Sequence, residues 1–427
     1  MNPYVVRQVV FSSGERLPML CARATGLPQF EATLYSLTEL RAKGLASATI
    51  QQALRSVAVL EFVLERAGVN LGARLNEGKL LEANEIEQLA SVCRRSLGAL
   101  TVGQEESRRP ISGSKVVSLE KVRMRPARAV DADELVSAET TAIRLFYIRN
   151  YLQWRLHAHL LKIGQRHPTF SGLLKIGEIV LKILGERMPR LCRRNPEQQR
   201  EGLSAEALDL LISVVEPDSP RNPWRDAHSR QRNALAIRWL IEVGVRAGEL
   251  LGIKISDIDF QKNEVFITRN ADDPDDPRAL QPLTKTKSRL LPLSDDLAVQ
   301  TRRYIMGTRR AVKGARRHQF LFVASSSGAP LTYIALAKAF CTLRRSCTEL
   351  PGDLTAHVLR HTWNGNFSDQ VDAQRIAPEV EQKIRSRLMG WSETSGTAAI
   401  YTRRHVRRKS NEALLAMQKK SKMGKPR

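Results

Sequence analysis

Apolar residues recur at helical spacing through most of the chain, and only a few short segments alternate as strands do. In GLASATIQQALRSVAVLEFVLERAG, Ile50, Leu54, Val57, Leu60 and Val63 form a stripe three or four residues apart. The stripe belongs to a helical pattern from about residue 29 to residue 68, with Ser47 or Thr49 suited to cap the helix start. The spacing resumes in TTAIRLFYIRNYLQWRLHAHLLKIG. It returns in RNALAIRWLIEVG, where Ile237, Leu240 and Ile241 share a face and Gly244 suits a left-handed end. NEVFITR and the region around TKTKSRLLPL read as strands on either side of an acidic, Pro-rich loop, NADDPDDPRALQP. The pattern therefore predicts a mainly α fold with a small β-sheet, helical in its first half and mixed α/β in its second.

Breaks in the pattern divide the chain. Residues 1–29 are a strand-like lead ending in Gly26 and Pro28, and residues 107–132 form a polar, basic stretch without a steady period, suited to a connection or a DNA-facing loop. Asn195 and Pro196 interrupt the next helical run, and Ser204 is placed to cap a new helix, which puts a domain boundary near residue 200. The expected organisation is a lead (1–29), an all-helical domain (30–200), an α+β domain (201–410) and a basic tail (411–427). In the tail, Ala413, Leu414, Leu415 and Met417 make a short amphipathic piece fitted to a neighbouring subunit or to its own chain.

Charge narrows the choice of partner. The 427 residues carry 68 Lys and Arg against 44 Asp and Glu, a formal charge of +24 that attracts polyanions. Nucleic acid is the leading partner, although an anionic membrane surface or a ribosome would account for the same charge. No run approaches the roughly 20 apolar residues that span a bilayer, so a soluble, intracellular protein without a membrane partner is expected. The five cysteines (Cys21, Cys93, Cys192, Cys341, Cys347) include no CxxC pair and read as reduced core thiols, with neither zinc nor a disulfide framework indicated.

Three clusters carry candidate chemistry. In GVRAGELLGI, Arg246 and Glu249 share a face if helical, so the carboxylate can hold a guanidinium whose fork suits phosphate; a surface ion pair is the plain alternative. HVLRHT brings His357, Arg360 and His361 within about one turn; the arginine argues against a metal and for an anion, and the plain alternative is a structural helix. In MGWSETSGTAAIYTRRH, Trp391 and Tyr401 lie ten positions apart beside several cations, which favour ionisation of a phenol; taken alone both read as packing residues.

The order of these clusters resembles the catalytic domain of the tyrosine recombinase (phage integrase) family over roughly residues 204–410. GVRAGELLGI matches the family's first-arginine box, TKTKSRLLPLS its lysine hairpin, HVLRHT its His-x-x-Arg box, and MGWSETSGTAAIYTRRH its nucleophile box. The resemblance implies that Arg246 and Arg360 grip the scissile phosphate, that His357 orients or proton-couples the site, and that Glu249 supports the first arginine, with His361 a further supporting residue. It also implies that Tyr401 attacks to leave a 3'-phosphotyrosine, while Lys285, or alternatively Lys287, protonates the departing 5'-oxygen. Trp391 stands where the family usually has histidine, and the interval to Tyr401 is one residue longer than the common pattern.

The resemblance further implies a two-domain clamp on double-stranded DNA, with a helical core-binding domain facing the catalytic domain. It implies four subunits on two DNA sites, possible accessory proteins, no metal or cofactor, and a cytoplasmic, nucleoid-associated protein. The expected function is site-specific recombination or integration. A nicking-resealing topoisomerase and a non-catalytic DNA-binding protein on the same fold are the alternatives.

Overall fold

A computed structural model describes residues 2–96, 135–191, 202–282, 286–392 and 410–418. The basic stretch 107–132, Lys285 and Tyr401 lie outside these. The chain divides into two compact units, Met1–Phe11 with Arg16–Arg193, and Ser12–Glu15 with Arg194–Arg427.

In the first unit the strand-like lead is an antiparallel hairpin of β1 (Tyr4–Val10) and β2 (Arg16–Ala22). The helical pattern predicted from 29 to 68 is broken. Helix α1 (Phe30–Tyr35) runs into a wide turn over Ser36–Arg41, and α2 (Ser47–Arg66) starts anew after Gly44. Ser47 is the first residue of α2 rather than its cap; Ala46 occupies the cap position, with no side-chain hydrogen bond. Short helices α3 (Leu71–Asn76) and α4 (Ala83–Cys93) follow, then α5 (Ala138–Ile163) and α6 (Phe170–Glu186). The predicted stripe of α2 is wholly buried, packed against both strands of the hairpin, α4 and α5. The described residues of this unit are thus helical apart from the hairpin, which packs on α2 as part of the same body.

The second unit begins with α7 (Ala205–Val215), capped as expected by Ser204, whose hydroxyl accepts from the Ala207 N–H. Helix α8 (Ala227–Glu242) crosses its middle and is buried along almost all its length. Beyond the turn at Gly244 come the short helix α9 (Ala247–Gly252) and an antiparallel sheet of β3 (Ile258–Asp259), β4 (Glu264–Ile267) and β5 (Arg289–Pro292). Helices α10 (Asp295–Tyr304), α11 (Tyr333–Ser346), α12 (Ala356–Ala373) and α13 (Pro378–Met389) complete the core, with α8 packed against both α10 and α12. The described residues are therefore mainly α with little sheet, as the periodicity predicts, the strands forming the β1–β2 hairpin and the three-stranded β3–β4–β5 sheet. Residues 410–418 form a further helix on which Leu414, Leu415 and Met417 are exposed. No described helix is long and apolar enough to cross a membrane.

The acidic loop between β4 and β5 is pinned to the fold. Asp276 accepts two hydrogen bonds from the Arg278 side chain, at 2.8 Å from both Nε and Nη2, and a third from its backbone N–H at 2.9 Å, and Arg278 Nη1 also donates to the carbonyls of Leu251 and Leu331. Lys254 pairs with Asp273 at 2.9 Å. Buried charges joined by several hydrogen bonds fix a loop that composition alone leaves undefined.

Candidate active site

The site grows from the turn after α8. Gly244 has φ 66°, and a side chain there would drive a Cβ to within 2.6 Å of the Trp363 ring. Only glycine permits this conformation and this approach together. Trp363 Nε1 donates to the Glu242 carbonyl at 3.0 Å, and Arg360 Nη1 donates to the Gly244 carbonyl at 2.5 Å. Two side chains of α12 thus hold the turn that presents Arg246.

Arg246 is the residue preceding the first turn of α9, not a member of it. Glu249, three residues on, accepts the Arg246 backbone N–H at 2.9 Å through Oε2 and meets its Nη1 at 3.5 Å through Oε1. The spacing therefore brings the pair together, with the carboxylate fixing the backbone as firmly as the side chain. The Arg246 side chain remains one-third exposed (33%), while that of Glu249 is inaccessible. A held but reachable guanidinium is suited to an incoming anion.

Glu249 is the centre of the cluster. Arg289, on β5, forks onto it with Nη2 to Oε2 at 2.8 Å and Nη1 to Oε1 at 3.2 Å. The Thr286 hydroxyl donates to Oε1 at 2.5 Å, and Arg360 Nη1 lies 4.0 Å from Oε2. Burial pushes the Glu249 carboxyl up, but Arg289, with Arg360 and Thr286 behind it, outweighs burial and holds it down to about 2.

Helix α12, capped by the Thr355 hydroxyl, carries His357, Arg360 and His361. The two imidazoles touch, Nε2 to Nε2 at 3.0 Å, an arrangement in which one ring nitrogen donates and the other accepts. His357 is exposed and His361 half-buried, whereas Arg360 is 2% exposed. Besides the Gly244 carbonyl, Arg360 reaches the Met389 carbonyl at 3.5 Å and lies 5.7 Å from the centre of the Trp391 ring. Trp391 is buried immediately after α13, beyond the left-handed Gly390. Lys287 donates its backbone N–H to the Gly390 carbonyl at 3.0 Å, with its side chain exposed.

The fold therefore joins Arg246, Glu249, Arg360 and Trp391, from motifs about 145 residues apart, and sets His357 and His361 on the helix that bears Arg360. Two members of the cluster, Thr286 and Arg289, were not among the residues singled out from sequence. The available signal was the strand period, since Arg289 has the parity of the inward residues Leu291 and Leu293.

Comparison with known proteins bears on the same region. The profile of the phage integrase family matches residues 221–408. The tyrosine recombinase XerA of Thermococcus kodakarensis is 22% identical over 300 residues, covering 65% of this chain and 90% of that protein. Among solved structures, the Tn1549 transposon integrase in complex with circular intermediate DNA is 16% identical, with a TM-score of 0.38, over 71% of this chain and 88% of that one. The XerH site-specific recombinase bound to difH substrate is 15% identical, with a TM-score of 0.37, over 77% and 84%.

Proposed function

Because this chain belongs to the phage integrase family and is a tyrosine recombinase, an enzyme of site-specific recombination, we propose that it cuts and rejoins DNA through a 3'-phosphotyrosine on Tyr401. The observation that carries this reading is the Glu249 hub. One deeply buried, ionised carboxylate holds Arg246 in place and lies beside Arg360, so two guanidiniums gather around a single carboxylate, with that of Arg246 still reachable by an anion.

In the proposed reaction Arg246 and Arg360 bind the non-bridging oxygens of the scissile phosphate and offset the charge that grows in its five-coordinate transition state. The Tyr401 phenol gives its proton to His357, and its oxygen bonds to phosphorus. The bond from phosphorus to the 5'-oxygen breaks, and that oxygen takes a proton from Lys285, or from Lys287 in its stead. His357 orients the phosphate, His361 holds His357, and Trp391 walls the site beside Arg360. A free 5'-hydroxyl then reverses the step on the phosphotyrosine, so rejoining needs neither ATP nor a metal.

The partner in this reading is duplex DNA, attracted by the charge of +24. The solved relatives bound to difH substrate or to circular intermediate DNA accord with it. Residues 30–200 would form the core-binding domain and 201–410 the catalytic domain, with four subunits joined on two sites, accessory proteins as helpers, and the nucleoid as the place of action.

The test uses duplexes enriched by binding to the wild-type protein and rebuilt with a 5'-bridging phosphorothiolate, which traps the covalent intermediate. In EDTA and without ATP, the wild type is expected to give a protein–DNA adduct on a denaturing gel, and Tyr401→Phe none. No adduct on any duplex that the protein binds tightly would sink the proposal.

A further inference from the structure

We propose that Arg289 is a positioning residue for strand transfer: it ties the carboxylate that holds Arg246 to the end of α13, the helix after which the nucleophile motif follows in the chain. This rests on the phosphotyrosine reading above. Its basis is the way one guanidinium spends its donors. Two nitrogens fork onto Glu249, while Nε donates to the Leu388 carbonyl at 2.6 Å, in the last turn of α13. That turn runs through Gly390 into Trp391 and the nucleophile motif.

A second contact runs the same way. The segment that enters β5 is locked to the end of α13 by the bond from Lys287 N–H to the Gly390 carbonyl. The approach is so close that a Cβ on Gly390 would lie 2.9 Å from Arg289 Nη1, from the Lys287 carbonyl and from the Thr286 Cβ. Arg289 itself is 7% exposed and sits where no solvent-facing role is open to it. Strand β5, α9 and the end of α13 thus meet at this side chain.

The consequence is electrostatic as well as steric. Among the described residues, the groups facing Glu249 are Arg246 from the start of α9, Thr286 and Arg289 from the entry to β5, Arg360 from α12, and the Tyr333 phenol from the start of α11. With Arg289 removed, burial gains on the remaining partners and the carboxyl rises towards the working pH. A protonated Glu249 no longer attracts Arg246 as an anion. Cleavage in such a variant therefore weakens as pH falls, a dependence that an ion pair with a merely structural role does not produce.

The experiment compares Arg289→Met, Arg289→Lys, Glu249→Gln and the double variant Arg289→Met/Glu249→Gln in the trapped-adduct assay from about pH 8 to about pH 5.5. DNA binding and thermal unfolding are followed in parallel. The ratio of wild-type to Arg289→Met adduct rates is expected to grow roughly threefold to tenfold towards acid, with DNA binding little changed. Glu249→Gln removes that dependence, and the double variant is slower than Glu249→Gln alone by less than about threefold. Arg289→Lys, which keeps the charge but cannot serve both Glu249 and Leu388, is expected to be intermediate and at least about tenfold slower than wild type.

A loss in Arg289→Met that is equal at every pH and multiplies with that of Glu249→Gln overturns the coupling. If Arg289→Met does not fold, Arg289→Lys decides, and a wild-type rate in that variant overturns it. A wild type that forms no adduct overturns the function itself, a result distinct from either.

Discussion

The first unit fills its centre with aliphatic side chains, Ile50, Leu54, Val57 and Leu60 of α2 against Leu145, Ile148 and Leu152 of α5. The second has an apolar core as well, around Trp239 and Leu240, yet it also buries Arg232, Arg278, Arg289, Arg309, Arg360 and Arg385. Among the described residues of the first unit, the buried charges are Arg16 and Glu85. Apolar burial stabilises without regard to exact direction, whereas a buried guanidinium is tolerated only when its donors meet acceptors in fixed places. The second unit accepts that constraint throughout. Arg309 donates to the carbonyls of Ala315, His318, Phe320 and Leu321, and Arg385 bridges Glu381, Asn364 and Ser368. Asn364 in turn donates to the Arg360 carbonyl at 2.9 Å, so this polar interior runs up to the candidate site. Precision of placement is what the difference between the units supplies.

The largest effect is expected at Arg360. Arg360→Ala should slow adduct formation about a thousandfold, measured on the trapped substrate at saturating protein. A loss under about tenfold would mean that this polar interior is scaffold only. The counterpart in the apolar core is Leu54→Ala, which should lower the stability of the first unit by about 3 kcal/mol in denaturant unfolding. The folded fraction should keep its wild-type rate of covalent chemistry on bound DNA. A comparable loss of chemistry in both variants would erase the contrast between the units.

A pH experiment sharpens the comparison at a second polar cluster. Burial, with Arg232 beside it, drives the His228 imidazole down to about 4 from an ordinary 6.5. It bonds Ser325 at 2.8 Å through Nδ1 and the Tyr304 hydroxyl at 3.1 Å through Nε2. A histidine that stays neutral when folded but takes a proton when unfolded gives its full stabilisation above 6.5, and loses it as pH falls towards 4. Acidifying from about pH 7 to about pH 5 should therefore cost the second unit about 2 kcal/mol more in wild type than in His228→Gln. Equal pH slopes for the two proteins would remove His228 from the account.

The smallest effect should ignore the contrast altogether. Ser137 caps α5 in the first unit and Ser204 caps α7 in the second, each accepting one backbone N–H at 3.2 Å. Either serine changed to alanine is expected to lose about 1 kcal/mol in thermal unfolding, since a helix start has the same unmet donors in both settings. A clearly larger loss in one unit would show that the cap is coupled to the core beneath it.

Much of this was legible along the chain. The 3.6-residue period of α2, α5 and α8 marked buried faces because a helix needs only one apolar stripe to find its core. Ser204 as a cap and Gly244 as a helix end follow from local backbone chemistry, and the spacing of Arg246 to Glu249 and of His357 to Arg360 placed each pair within one turn. Where local signals competed, the reading slipped. Ser47 sits inside α2 because the turn at Gly44 and the burial of the stripe set the helix start. Tertiary structure alone decided that Arg289 and Thr286 close on Glu249, that Arg360 is buried against the Gly244 carbonyl, and that the acidic loop is fastened by Arg278 and Lys254. Apart from the Arg278–Asp276 pair, such contacts join residues about twenty to more than a hundred positions apart. Whether a charged side chain is a solvated surface group or a buried link depends on which carbonyls and carboxylates the folded chain brings to it, and no period along the sequence carries that information.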